Sequence, residues 1–244
     1  MQLLETFNTK RLKANRLCVE DYTELCLMHS NSMVMATLGG IRTNNVTRQF
    51  LQTNLNHWNC YGFGLWMFRD KANGGFVGRG GLRNTQVDGK DEVELAYALM
   101  PEFWGQGLAT EIGEVILTLG FEQLGLADVV CYTMTTNQAS QKVMKKLGFK
   151  YERDFIKANL LHVLFRVTAS TWKFHCMNNS FMENSFSKRM FEKWLAVILI
   201  TLLPPLVPPY KGGKQEKSGS LPFTRGGLGW GQKYSEHPKN NTTL

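Results

Sequence analysis

The stretch "VELAYALMPEFWGQGLATE", residues 93–111, sets two patterns end to end. Val93, Leu95, Tyr97 and Leu99 alternate with Glu94, Ala96 and Ala98, the period of a strand with one apolar face and one face of small and acidic residues. Gly105 and Gly107 then sit directly ahead of a helix predicted from about Ala109 to Leu124. A strand, a glycine turn and a helix in succession expose the helix's first free N–H groups at the positive end of its dipole, which favours a phosphate. Glycine lets the backbone approach such an anion without a Cβ in the way. The same residues also fit a turn in which glycine serves only its backbone angle, and a lone GxG does not separate the two. The flanks must decide.

Working outward, strand-like and helix-like patterns alternate through residue 170. "TKRLKANRL" alternates as a half-buried strand would, and "VEDYTELCLMHS" carries helical spacing at Val19, Tyr22, Leu25 and Cys26. "NVTRQFLQTNLNHWNCY" predicts a second helix with Val46, Phe50, Leu51, Leu55 and Trp58 on one side. The runs "FGLWMFRD" and "GGFVGRGGLRN", joined by "KANGG", predict a hairpin. Downstream, "ADVVCYTM" reads as a buried strand and "QASQKVMKKLGF" as a helix closed by Gly148. "KYERDF" and "LLHVLFRVT" form a closing pair of strands. Short turns between consecutive strands imply a mainly antiparallel sheet, so the expected class is α/β of the α+β type, a single domain with a C-terminal tail.

The formal charge of +8 is unevenly spread. Residues 1–170 carry 18 Lys and Arg against 16 Asp and Glu, whereas residues 171–244 carry 10 against 4. The basic balance therefore belongs to the C-terminal segment and says little about a ligand of the patterned region. Six of the seven prolines lie beyond residue 200, in a stretch rich in Gly, Ser and Lys without periodicity. The expected organisation is a folded domain over 1–172 and a largely disordered extension over 173–244, with a weak amphipathic helix allowed over 177–194. The nine-residue apolar run "LAVILITLL" falls short of the roughly 20 residues a membrane span needs. The tail's lysines are scattered with few aromatics among them, which argues against a nucleic-acid arm. Five cysteines, an odd count without CxxC pairing, and the lack of a leader-like N-terminus point to reduced thiols and a cytoplasmic protein, with no metal site expected.

Taken in order, "TKRLKANRLCVEDYTEL", "GFGLWMFRDKANGGFVGRGGL", "VELAYALMPEFWGQGLATE" and "NQASQKVMKKLGF" resemble the GNAT superfamily of acyl-CoA-dependent N-acetyltransferases, nearest its RimJ/RimL-type branch. The resemblance spans roughly residues 5–170 and implies the fold, a cosubstrate and a reaction. In this family an R/Q-x-x-G-x-G/A turn holds the pyrophosphate of acetyl-CoA through backbone amides. Gly107-Leu108-Ala109 matches its end, so the amides of Gly105, Gln106, Gly107, Leu108, Ala109 and Thr110 become the implied cradle. The motif's first position falls on Trp104, which removes a side chain and leaves the amides. The resemblance also places the pantetheine arm along the backbones of Leu99 and Met100, with Asn137 contacting the arm. The implied reaction is direct attack of a primary amine on the thioester, a protein α-amino group being one such acceptor, and the implied enzyme is a monomer or homodimer.

An ammonium must lose a proton before it attacks, and Glu94 stands where some of these enzymes place a catalytic glutamate. A solvent-facing or salt-bridged glutamate on an alternating strand is the other reading of Glu94. The family's usual acid is a tyrosine four residues before the helix-ending glycine, and here that position is Met144. Ser140, matching the serine of an N-x-x-S pattern, is the substitute partner for the leaving thiolate. Both Ser140 and Asn137 also fit plain helix-capping roles. Glu111 is assigned to the helix dipole, and His29, His57 and Cys131 to structural positions. The missing tyrosine keeps a second reading open, a non-catalytic acyl-CoA-binding module.

Overall fold

The computed structural model describes residues 5–183. Two short strands, β1 (Thr6–Asn8) and β2 (Leu12–Arg16), open the chain, with a turn at 9–11 interrupting the alternation that predicted one strand. Next come helices α1 (Tyr22–Ser30), α2 (Ser32–Met35) and α3 (Asn44–Tyr61), then strands β3 (Leu65–Asp70), β4 (Phe76–Val87) and β5 (Lys90–Leu99). Helix α4 (Leu108–Thr118) leads to β6 (Asp128–Met134), α5 (Gln138–Lys146), β7 (Lys150–Lys157), β8 (Leu160–Thr168) and α6 (Ala169–Glu183). The helix predicted through Leu124 tightens differently at its end, where the Leu124 N–H reaches back five residues to the Leu119 carbonyl in one wide turn.

The eight strands form one sheet in the order β1-β2-β3-β4-β5-β6-β8-β7. All neighbours are antiparallel except β5 and β6, which run parallel and pair only at Glu94↔Val130. Beyond that contact the two strands part, and the sheet opens between their C-terminal ends. The mixed, mainly antiparallel α/β architecture is the expected one.

Each face of the sheet is covered. On one side Ile112, Ile116 and Leu117 of α4, Met144 of α5 and Trp172 of α6 pack with Trp66, Phe68, Leu95, Leu99, Val129 and Phe165. A Cβ at Gly80 would stand 2.7 Å from the Ile112 side chain, so the missing side chain is what lets α4 lie close to β4. On the other side Leu25 of α1 and Leu51 of α3 pack with Leu65, Met67 and Ala96, and Met28, Val34 and Met35 pack with Ala98 and Met100. Burying such side chains stabilises by about 1.5–3 kcal/mol each.

Two residues assigned to apolar faces lie outside them. Val19 belongs to a short turn ahead of α1 and is exposed, and Val46, in the first turn after the Thr43 cap, is exposed too. The buried stripe of α3 is instead Thr47, Leu51, Asn54 and Trp58. The polar members are buried because each has a partner: Thr47 bonds to His29, and Asn54 donates to the Phe50 carbonyl at 2.8 Å. Helix α6 begins ahead of the segment in which a weak helix was allowed, and Trp172 is 4% exposed. The extension expected to be largely disordered lies, from residue 184 onward, outside the described residues.

Candidate active site

The opening between β5 and β6 continues into a cleft of about 500 Å³. It is walled by the segment from Met33 to Leu38, the face of β4 and β5, the N-terminus of α4 and the first turns of α5. Glu94, Leu99, Gly105, Gly107, Leu108, Ala109, Thr110, Asn137 and Ser140 all line it. Met100 and Gln106 do not.

At one end stands the N-terminus of α4. Gly105 and Gly107 have φ of 75° and 77°, left-handed values that favour glycine, and Gly107 is the N-cap. The first helical bond runs from the Glu111 N–H to the Gly107 carbonyl, and no side chain caps the turn. The N–H groups of Leu108, Ala109 and Thr110 are therefore left as donors without helical acceptors. Nothing lies within 4 Å of where a Gly105 Cβ would be. The turn is braced from behind. Arg11 Nη1 donates to the Gln106 carbonyl at 2.8 Å, and because a trans peptide opposes its C=O and N–H, the Gly107 N–H points the other way. Glu111 anchors the brace, accepting from Arg11 Nε and from the Arg11 amide, both at 2.7 Å. Glu111 thus positions the turn as well as complementing the dipole.

Trp104 has a defined structural part. Its indole N–H donates to the Leu99 carbonyl at 2.8 Å, tying the glycine turn to the end of β5. The Met100 N–H is bound to the Val77 carbonyl at 2.9 Å, on the β4 side. Alternation along the ladder therefore turns the polar groups of Tyr97 and Leu99 toward the opening, and those of Met100 away from it. At the mouth of α5, Asn137 accepts the Ser140 N–H at 3.0 Å, the N-cap bond, and donates to Thr37 Oγ1 at 2.9 Å. One side chain so caps the helix and joins two walls of the cleft. Lys142 and Lys146 of α5 add positive charge along the same wall.

These donors suit the pyrophosphate of a nucleotide-bearing cosubstrate: several unpaired N–H groups at a helix mouth, glycine clearance above them, and flanking lysines. Among the described residues no cluster of His, Cys, Asp or Glu has the makings of a metal site.

Glu94 is buried, at 4% exposure, and its carboxylate accepts from Arg83 Nε at 3.0 Å and Nη2 at 3.4 Å. It is thus both a cleft residue and a salt-bridged one, not a solvent-facing one. The Glu94 charge, acting against burial, raises the pKa of Arg83, so the guanidinium stays charged. Tyr132 lines the cleft on the same side, its phenol pushed up by burial and by Glu94.

Ser140 Oγ stands 2.9 Å from the Tyr97 hydroxyl, which also donates to the Ser140 carbonyl at 3.2 Å. Burial holds the Tyr97 phenol well above its usual pKa, with a smaller contribution from Cys131, so it stays protonated. Tyr97 reads in the sequence as one more member of an apolar strand face. Its distance from Ser140 in the chain hides the pair, and the one available signal was the phenol itself, which needs a partner when buried. Arg79 and Arg83 were missed for a related reason: charged residues inside a glycine-rich strand look solvent-facing until the sheet is assembled.

The histidines hold structural positions. His29 is fully buried, bonded to Thr47 at 3.0 Å and approached by Arg42 at 3.4 Å. Burial, with the charges of Arg79 and Arg42, pulls its pKa to about 3, so it is neutral. His57 donates to the Phe63 carbonyl at 2.8 Å and accepts from the Asn84 N–H at 2.9 Å, which fixes a neutral tautomer.

Comparisons with known proteins agree with this geometry. The acetyltransferase (GNAT) domain family matches residues 11–150. The uncharacterised protein YkkB of Bacillus subtilis is 28% identical over 145 residues, which are 58% of this chain and 84% of that protein. The FsC-acetyl coenzyme A-N(2)-transacetylase of Aspergillus fumigatus is 31% identical over 156 residues, 58% of this chain and 65% of that protein. Among solved structures, an acetyltransferase from Agrobacterium tumefaciens superposes with a TM-score of 0.60 at 21% identity, covering 68% of this chain and 96% of that one. With the family match extending over more than half its length, the chain belongs to the GNAT acetyltransferase family.

Proposed function

We propose that this protein transfers the acetyl group of acetyl-CoA to a primary amine by direct attack in a ternary complex. The observation that carries the reading is the convergence on one cleft of the α4 amides, the β5–β6 opening and a buried carboxylate. The amides of Gly107, Leu108, Ala109 and Thr110, with Lys142 and Lys146, hold the pyrophosphate. Those of Tyr97 and Leu99 face the pantetheine arm. Acetyl-CoA supplies an activated thioester, whose C–S bond breaks as the new C–N bond forms.

Glu94 draws the substrate ammonium into the cleft and accepts its proton, directly or through water. Arg83 holds that carboxylate in place through its Nε and Nη2 hydrogen bonds. Ser140 Oγ–H bonds the departing thiolate, with the protonated Tyr97 hydroxyl behind it. The pair takes the place of the tyrosine that Met144 replaces. The reading includes a cytoplasmic protein of the RimJ/RimL-type branch, acting as a monomer or homodimer, with a protein α-amino group among the acceptors to be tried. No helix among the described residues is long and apolar enough to cross a membrane. The name of the fungal relative, which specifies transfer to a nitrogen, supports an amine acceptor.

Purified full-length protein incubated with acetyl-CoA and a panel of amines tests this reading by release of CoA thiol. Absence of both acetyl-CoA binding and thiol release with every acceptor would sink it. Two observations favour a second reading: Met144 is fully buried and Glu94 is already ion-paired, as a non-catalytic acyl-CoA-binding module would allow. That module would bind acetyl-CoA and release no thiol with any amine.

A further inference from the structure

The sheet face beneath α1 and α3 carries an imbalance of charge that the transfer reaction does not use. Arg79 of β4 is 5% exposed and lines the cleft, yet its Nε has no hydrogen-bond partner among the described residues. No carboxylate among those residues lies within ion-pair distance of it; Glu94 is paired with Arg83, four positions along the same strand face. Its guanidinium sits 4.7 Å from the centroid of the Phe50 ring, and that of Arg42 lies 5.2 Å from the same ring. Arg42 has no ion pair among the described residues either; its neighbour His29 is neutral and accepts one of its N–H groups. Two guanidiniums thus flank one aromatic ring, and the ring, the His29 nitrogen and the more distant Glu94 charge offset their mutual repulsion only in part.

A buried, uncompensated charge is costly to hold, and such groups are normally paired or bound to a ligand. The arginine fork is also the side chain best suited to grip planar or tetrahedral oxyanions. The same face presents Glu94 on the adjacent strand, the group that attracts an ammonium. An acceptor lying along this face meets a carboxylate at one end and unpaired guanidiniums at the other. Ala96 and Ala98, on the same face of β5, also border the cleft.

We infer that the acceptor is a small primary amine that also carries an anionic oxygen group, carboxylate or phosphate, gripped by Arg79 with Arg42 behind it. The inference rests on the acetyltransferase reading and narrows its acceptor away from a plain peptide N-terminus. A buried arginine without a partner is kept because the substrate is the partner. Binding the anion relieves the repulsion among Arg42, Arg79 and Arg83, so the acceptor's own charge completes the site.

The test uses the full-length protein at saturating acetyl-CoA with matched acceptors. Glycine, β-alanine, 4-aminobutyrate and 6-aminohexanoate are each compared with their carboxamides, O-phosphoethanolamine with ethanolamine, and a neutral peptide N-terminus is included. The best anionic amine is expected to exceed its neutral partner in kcat/KM by about tenfold or more, as a charge-assisted hydrogen bond predicts. The two series tell carboxylate from phosphate. Arg79→Gln should bring that ratio near unity by raising KM for the anionic amine, with affinity for acetyl-CoA unchanged, and Arg79→Lys should recover part of it. Equal or better turnover of the neutral partners or the peptide would overturn the inference while leaving acetyl transfer intact.

A second arm needs neither turnover nor acetyl-CoA. Inorganic phosphate or glutarate should raise the Tm of the wild type and do so less for Arg42→Gln, a half-buried position. No Tm shift with either anion counts against the site, whatever the fate of the transferase reading.

Discussion

The two ends of the cleft are built from different materials. At the mouth of α4 the working groups are backbone amides, positioned by glycine angles and by the Arg11–Glu111 brace behind the turn. Over the sheet face they are side chains: Glu94, Arg83, Arg79 and Tyr132, brought together from three strands. The difference teaches where selectivity resides. Amides at a helix mouth bind any polyphosphate of suitable shape, and most substitutions nearby leave the N–H in place. A side-chain site changes its ligand with one substitution. The first end suits a cosubstrate common to a whole family, and the second an acceptor peculiar to this protein.

The comparison breaks most sharply at Glu94. Glu94→Gln removes the proton acceptor and should lower kcat by about 10²–10⁴-fold, with the Kd of acetyl-CoA unchanged. Arg83, itself about one-third exposed, then loses its charged partner, so a fall in stability of about 1–3 kcal/mol accompanies the change and is read separately by denaturant titration. Turnover at the wild-type rate would remove the base role from Glu94. The complementary break is Gly107→Val. A β-branched residue at a φ of 77° costs about 1–3 kcal/mol, so the turn should relax away from this geometry, scatter its amides and weaken the acetyl-CoA Kd about ten- to hundredfold. The acceptor preference of whatever activity remains should be untouched. If the variant altered that preference instead, the two ends would not be separable.

The same contrast explains what was legible in the sequence. Glycines, a helix mouth and a preceding strand lie within twenty-odd consecutive residues, so local pattern suffices to find the α4 turn. The capping of α5 by Asn137 follows from an equally local signal, whereas the strand order and the β5–β6 opening appear only when the sheet assembles. The sheet-face end depends on register between strands. Arg83 meets Glu94 because β4 and β5 pair as they do, and no spacing rule announces it. Tyr97 was hidden by its place in an apolar alternation, and Met100 was overestimated because alternation of N–H direction is invisible in composition. Val46 was misplaced on α3 because hydrophobicity alone ranks it above Thr47. In the fold the hydroxyl of Thr47 earns burial by bonding to His29.

A smaller effect sharpens the contrast through pH. His29 supports the sheet-face end as a neutral ring, with its pKa near 3 when folded and about 6.5 when unfolded. Between these values the unfolded chain binds a proton that the folded chain refuses, so stability must fall as pH drops from about 6.5 toward 3. The slope attributable to this residue is about 1.4 kcal/mol per pH unit at most. Denaturant midpoints measured from pH 7 to 4 should follow it, and His29→Gln should flatten the curve at some cost in stability at pH 7. An unchanged slope in that variant would assign the acid sensitivity elsewhere.

The smallest predicted effect lies where the two ends meet. Ser140 belongs to the helix mouth through its N–H and to the reaction through its hydroxyl, and Tyr97 bonds both its hydroxyl and its carbonyl. If Tyr97 acts through Ser140, Tyr97→Phe and Ser140→Ala should each lower kcat by about tenfold or less, as loss of one hydrogen bond worth about 0.5–1.5 kcal/mol allows. The double variant should fall no further than the worse single one, because the two hydroxyls form one proton path. A purely structural tyrosine would act differently: Tyr97→Phe would lower Tm by a few degrees and leave kcat alone, and the effects of the two substitutions on kcat would not be coupled. Leaving-group chemistry on the acetyl donor gives an independent readout. An acetyl thioester with a more acidic thiol needs less help on departure, so it should rescue Ser140→Ala and Tyr97→Phe while leaving Glu94→Gln as slow as before. Rescue confined to the hydroxyl pair would place proton donation at the helix mouth and proton removal on the sheet face, dividing the chemistry along the same line that divides backbone from side chain.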